Sequence, residues 1–335
     1  MDTNDLGGIS IPAAYSTLSV SAIVAELLSR YGIPEVRICQ FWRRGLSDVY
    51  WVETTDGSSY ILRISHHQWR SRSDVIYELE FLEHLHRHQL PVAYPLRTKN
   101  GELCLTVRAP EGDRFASLFI YAPGSVPIGD LNLVQSRVLG RTVAQVHASA
   151  QSFQSTVARS PLDAEQLLDR SLTNLDGFLG DYPEQRQAIH GIAANLSQRL
   201  ATLPKASPYW TVCWGDPHSG NTHFASDTAL TLFDFDQCGP GWRAFELGKF
   251  LQVAMSCGVA RKVRRAFLEG YESIAPLEAV EREMIRPLTQ AAYLWNWSIV
   301  VNYAQFHDYC RLDAHHLRKR FEMFKMLGVN DCHLF

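Results

Sequence analysis

The dipeptide Pro123-Gly124 divides this 335-residue chain into two stretches of different texture. Before it, residues 36–39, 49–54, 59–64, 103–108 and 117–121 are rich in β-branched and aromatic side chains and read as strands. Asp56-Gly57 supplies a hairpin turn between the second and third. Apolar residues at 23, 24, 27, 28 and 31 predict a helix over 19–31, capped by Ser19 or Ser21 and stopped by Gly32. Val75, Leu79, Leu82 and Leu85 predict a second over 73–88, ended by Leu90-Pro91. Strands, one helix and more strands imply an α+β lobe built on an antiparallel sheet. After Pro123-Gly124 the pattern turns helical: 131–150, 164–179, 183–200, 242–257, 259–271, 277–308 and 314–327. The interruption, 211–236, reads as a strand, a loop and a short strand pair.

The expected organisation is a loose leader at 1–17, a small lobe at 18–123 and a helical lobe at 124–335. A net charge of −3 argues against nucleic acid or an anionic membrane as a partner. The seven cysteines, at 39, 104, 213, 238, 257, 310 and 332, form no CxxC pair, which fits a reduced, cytoplasmic compartment. The opening residues lack the pattern of a signal peptide. The uncharged stretch 287–307 is broken by Gln290, Asn296, Asn302 and Gln305, so it reads as a core helix and not as a membrane span.

The chemistry sits on the interruption. Trp214-Gly215-Asp216-Pro217-His218-Ser219-Gly220-Asn221 is followed by Phe233-Asp234-Phe235-Asp236. Phosphoryl transfer from a nucleotide needs a carboxylate at the acceptor hydroxyl, and an amide oxygen and a second carboxylate for the divalent metal on the phosphates. Asp216, Asn221 and Asp234 have that order. Singly, each has a bland reading: a turn-capping Asp, a turn amide, a strand-end Asp. Asp236 either touches metal-bound water or closes the turn.

These residues resemble the aminoglycoside phosphotransferase and choline kinase-like family, small-molecule kinases with a two-lobed protein-kinase-like fold. Its pattern is roughly H-G-D-x-H-x-x-N, an apolar run, then D-F-D or D-x-G. The resemblance implies an ATP- and Mg-dependent phosphotransferase acting on a small-molecule hydroxyl: an amino alcohol, homoserine, a sugar or an aminoglycoside. It makes Asp216 the catalytic base or hydroxyl-orienting carboxylate, and Asn221 and Asp234 metal ligands, with Asp236 in a lesser part. Gly45 and Ser47 fall on its phosphate loop, Arg63 on the strand position that usually carries a phosphate-pairing Lys, and Glu78 where the partner of that residue sits. Ile120 and Ala122 fall on its hinge, where backbone groups meet the adenine edge. Glu246 stands where relatives often have Asp and reads as a structural support, and His147 as packing near the catalytic loop. Trp214 departs from the usual His and Arg63 from the usual Lys. A protein Ser/Thr kinase on the same fold and a non-catalytic nucleotide-binding protein are the rival readings. His84, His86 and His88 read as a solvated helix face.

Overall fold

The computed structural model describes residues 11–304, 312–329 and 333–335. The start of the leader, the end of the 277–308 helix, Cys310 and Cys332 lie outside the described residues. The chain divides into two compact units, Met1–Arg72 with Leu96–Ile120, and Ser73–Pro95 with Tyr121–Phe335.

In the first unit, β1 (Val36–Arg44), β2 (Ser47–Thr54), β3 (Ser59–Ser65) and β6 (Gly112–Ile120) pair antiparallel in that order, and β5 (Leu105–Ala109) pairs with β6. Period-two alternation decides the faces. Tyr50 and Val52 of β2, Leu62 and Ile64 of β3, and Ala116 and Leu118 of β6 all turn to one side. There they bury Ile23, Leu28 and Tyr31 from the leading helical segment. That segment starts at Ser19, whose side chain caps it, and coils irregularly through Val20–Ala22, Ile23–Leu27 and Leu28–Arg30.

Arg114 fastens the preceding residues to the sheet. It is fully buried and donates to the Ser65 carbonyl at 2.9 Å, the Ser16 carbonyl at 3.0 Å and Asp48 Oδ2 at 2.9 Å. Ser16 also donates from its N–H and hydroxyl to Glu111. The end of the expected leader is thus tied down by charge-assisted bonds.

The second unit begins with α2 (Arg72–Arg87). Sequence spacing assigns its histidines to a solvated face, but His84 is buried, with Nε2 2.9 Å from the Ser149 carbonyl. It lies three residues after Phe81, and both rings pack on Phe153, so position 84 belongs to the buried stripe. The helical framework is α3 (Leu133–Ala150), α4 (Arg170–Leu179), α5 (Pro183–Leu200), α6 (Arg243–Ser256), α7 (Arg261–Glu272), α8 (Ala279–Asn302) and α9 (Ala314–Gly328). α3 packs on α7, and α6 on α8. α8 buries Leu288, Leu294, Trp295 and Trp297, as a core helix should. No described helix is long and apolar enough to cross a membrane.

Two small two-stranded antiparallel sheets break into this framework: β7 (Trp210–Cys213) with β10 (Gly239–Trp242), and β8 (Thr222–Ser226) with β9 (Ala229–Leu232). β7 and β10 are antiparallel with Cys213 opposite Gly239, so the loop leaving one and the loop entering the other start side by side.

Candidate active site

The loop leaving β7 carries Asp216, and a single 3₁₀ turn, Ser219–Asn221, returns the chain to β8. Gly215 makes the bend possible. Its φ is +88°, and an added Cβ would collide with the backbone of Gln237. Asn221 Nδ2 reaches back to the Asp216 carbonyl and to Oδ2, both at 3.2 Å. The amide oxygen of Asn221 is the atom these bonds do not use. The second loop is joined to the first where Phe233 N–H donates to the Asn221 carbonyl at 3.1 Å.

Asp216 Oδ2 also accepts from Gln237 Nε2 at 3.2 Å and lies 3.4 Å from His218 Nε2. His218 Nδ1 accepts the Gly220 N–H, so the neutral ring carries its proton on Nε2, facing Asp216. On the other side, Lys249 Nζ of α6 is 3.3 Å from Oδ1. Burial pushes the Asp216 carboxyl upward, but Lys249 and His218 outweigh it and hold the group well below the usual carboxylate range. Asp216 is therefore ionised at neutral pH.

Asp234 has φ +61°, a left-handed conformation uncommon for a residue other than glycine. Its carbonyl accepts from Trp214 Nε1 at 3.1 Å, and Trp214 stacks on Phe235 with centroids 5.3 Å apart. Asp236 is buried and its carbonyl accepts from Arg159.

A family model described as "Phosphotransferase enzyme family" matches residues 38–284, most of the chain. The chain belongs to the phosphotransferase enzyme family. An uncharacterized protein of Synechocystis sp. is 46% identical over 98% of this chain and 91% of its own. The amicoumacin kinase of Bacillus subtilis is 30% identical over 66% of this chain and 64% of its own. A solved amicoumacin kinase, in complex with AMP-PNP and Ca²⁺, superposes with a TM-score of 0.74 over 93% of this chain and 94% of its own, at 20% identity. The fold is the mixed α+β, kinase-like architecture of these phosphotransferases, with a small antiparallel sheet and a helical body.

Within this phosphotransferase the loop support is explicit. Glu246, fully buried on α6, accepts from the N–H groups of Trp214 at 2.6 Å and Gly215 at 2.9 Å, and from His147 Nε2 at 3.1 Å. With Nε2 donating, His147 Nδ1 takes the Tyr271 hydroxyl at 2.8 Å. His147, Cys213 and Glu246 cluster closely enough to suggest a metal site. Both Glu246 oxygens already receive N–H donors, so the cluster braces the loop.

Of the other sequence-read residues, Gly45 closes its own turn, its N–H donating to the Ser47 carbonyl at 3.0 Å. Arg63 sits on β3 between Val49 and Ser117, its guanidinium 4.9 Å above the Phe119 ring. Glu78 is buried on α2. Ile120 ends β6, and the Ala122 carbonyl is taken by His223 Nδ1 at 2.7 Å. Sequence reasoning gave no part to Lys249, Gln237 or Arg114. A basic or amide side chain in an otherwise apolar run, as in Leu247 to Leu251, was the available signal.

Proposed function

We propose that the protein moves the γ-phosphoryl group of ATP, with Mg²⁺ bound, to a hydroxyl of a small molecule. The observation that supports this best is the state of Asp216: an ionised carboxylate, 17% exposed, ringed by side chains that hold it in place. Such a group accepts a hydrogen bond from an incoming alcohol and fixes the oxygen for in-line attack. Its lowered pKa makes it an orienting group first. It takes the proton late, as the new P–O bond completes, which suits a loose transition state.

Asn221 and Asp234 would hold the metal, with Asp236 in a lesser part. An amide oxygen and carboxylates are hard donors of the kind Mg²⁺ takes. Bound there, the metal would neutralise charge on the phosphates. In the first unit, Gly45, Ser47, Arg63 and Ile120 are the proposed nucleotide contacts; in the second, Ala122 is, through its N–H, since its carbonyl is held by His223. Arg63 offers a fork suited to phosphate. Amicoumacin kinase, whose name gives its acceptor, supports a small hydroxyl compound as the substrate class.

Binding is tested by melting. A ligand that binds only the folded state stabilises it by RT ln(1 + [L]/Kd). Millimolar ATP with Mg²⁺ raises Tm, and ATP with EDTA raises it less. An unchanged Tm at millimolar MgATP contradicts the nucleotide assignment.

A further inference from the structure

Lys249 has a fully inaccessible side chain on α6, facing α8, with Nζ 5.4 Å from the centre of the Trp295 ring. An ammonium in such a place loses its hydration, and an apolar side chain of equal volume commonly packs there at least as well. The charge therefore needs a reason, and Asp216 Oδ1, 3.3 Å away, supplies it. The contact is an ion pair and not a well-aligned hydrogen bond.

The partners of Asp216 divide between its two oxygens. Asn221, Gln237 and His218 all converge on Oδ2. Lys249 faces Oδ1. Donors on one oxygen anchor that atom but leave the carboxylate plane to turn about it, because the terminal torsion of Asp is broad. A charge fixed on a buried helix opposes that turn. The Glu246 carboxylate, one turn earlier on α6, is spent on the Trp214 and Gly215 N–H groups, so one helix holds both the backbone of the loop and its reacting side chain.

We propose that Lys249 is a positioning residue of the phosphoryl transfer. It acts through Asp216, holding Oδ1 so that the carboxylate presents a fixed edge to the acceptor hydroxyl. The inference rests on the phosphotransferase reading above.

The test uses the full chain, with ADP release from MgATP measured with water and then with a panel of small alcohols as acceptors. Lys249→Met keeps length and removes charge. Asp216 retains its Oδ2 donors and some solvent contact, so Tm stays within about 3 °C of wild type. The KM for ATP stays within about twofold while kcat falls about 10- to 100-fold, since a small misplacement of a reacting group has an effect of that order. In the Asp216→Asn background the same change lowers kcat less than about twofold, because the residue acts only through Asp216. There it raises Tm, by removing a stranded buried ammonium.

Wild-type kcat in Lys249→Met overturns the inference alone. So does a loss of Tm accompanied by parallel changes in kcat and ATP KM, the mark of a structural residue. A folded wild type that neither binds MgATP nor releases ADP overturns the phosphotransferase reading, and this inference with it.

Discussion

Asp216 shows how a residue legible in sequence acquires properties that only the fold supplies. Its position in the motif proposes it for the reaction; its ionisation depends on Lys249, thirty-three positions later, and on the neighbouring His218. Asp216→Asn keeps the shape and discards the charge. Turnover falls by about two to four orders of magnitude, the range for losing a positioned base. The KM for ATP stays near wild type, because the substitution leaves Asn221 and Asp234 in place. Separate measurements of ATP binding and turnover check this. Wild-type turnover contradicts the assignment, and lost ATP binding moves Asp216 to the nucleotide or metal. Trp214 is the converse case. The sequence marks it as a departure from the family's His, and its consequence appears only in the fold. The indole N–H holds the Asp234 carbonyl while the ring stacks on Phe235, so an aromatic donor links the two loops.

At the scale of elements, α6 is the part on which the site depends. Glu246 receives two loop N–H groups and a histidine, all in a fully buried setting. Glu246→Ala strands those donors, and each buried donor left unmade costs about 1–3 kcal/mol. We expect a loss of about 3 kcal/mol in urea unfolding, together with reduced turnover. A loss below about 0.5 kcal/mol, the level of an ordinary surface change, contradicts the bracing role. Most elements were readable in advance, because period-two strands and 3.6-residue stripes are local properties of the chain. What escaped was non-local. The two-residue strand Pro95–Leu96 has too few residues to show a period. The buried ion pair Arg114–Asp48 and the half-buried pair Lys249–Asp216 join residues far apart in sequence, and composition gives no sign that they meet. His84 misled for the same reason: a polar side chain on an apolar stripe looks solvated until its partner, the Ser149 carbonyl, is in view.

For the whole molecule, the family match over residues 38–284 makes the chain a phosphotransferase, and the order Asp216, Asn221, Asp234 is the one the proposed mechanism requires. Which alcohol accepts the phosphoryl group was not legible, because acceptor specificity rests on pocket shape and not on a short motif. Two acidic side chains of the helical unit are already committed to ion pairs. Asp163 pairs with Lys205, and Asp176 with Arg186 and His190. The most direct measurement is ADP release from ATP, with and without Mg²⁺, across a panel of amino alcohols, homoserine, choline, sugars and aminoglycosides, with Asp216→Asn as the control. The account predicts Mg²⁺-dependent ADP release stimulated by at least one acceptor, with mass spectrometry finding that acceptor phosphorylated on a hydroxyl, and both signals lost in the variant. Folded wild-type protein that releases no ADP with any acceptor, or variant protein that releases it as fast as wild type, would contradict it.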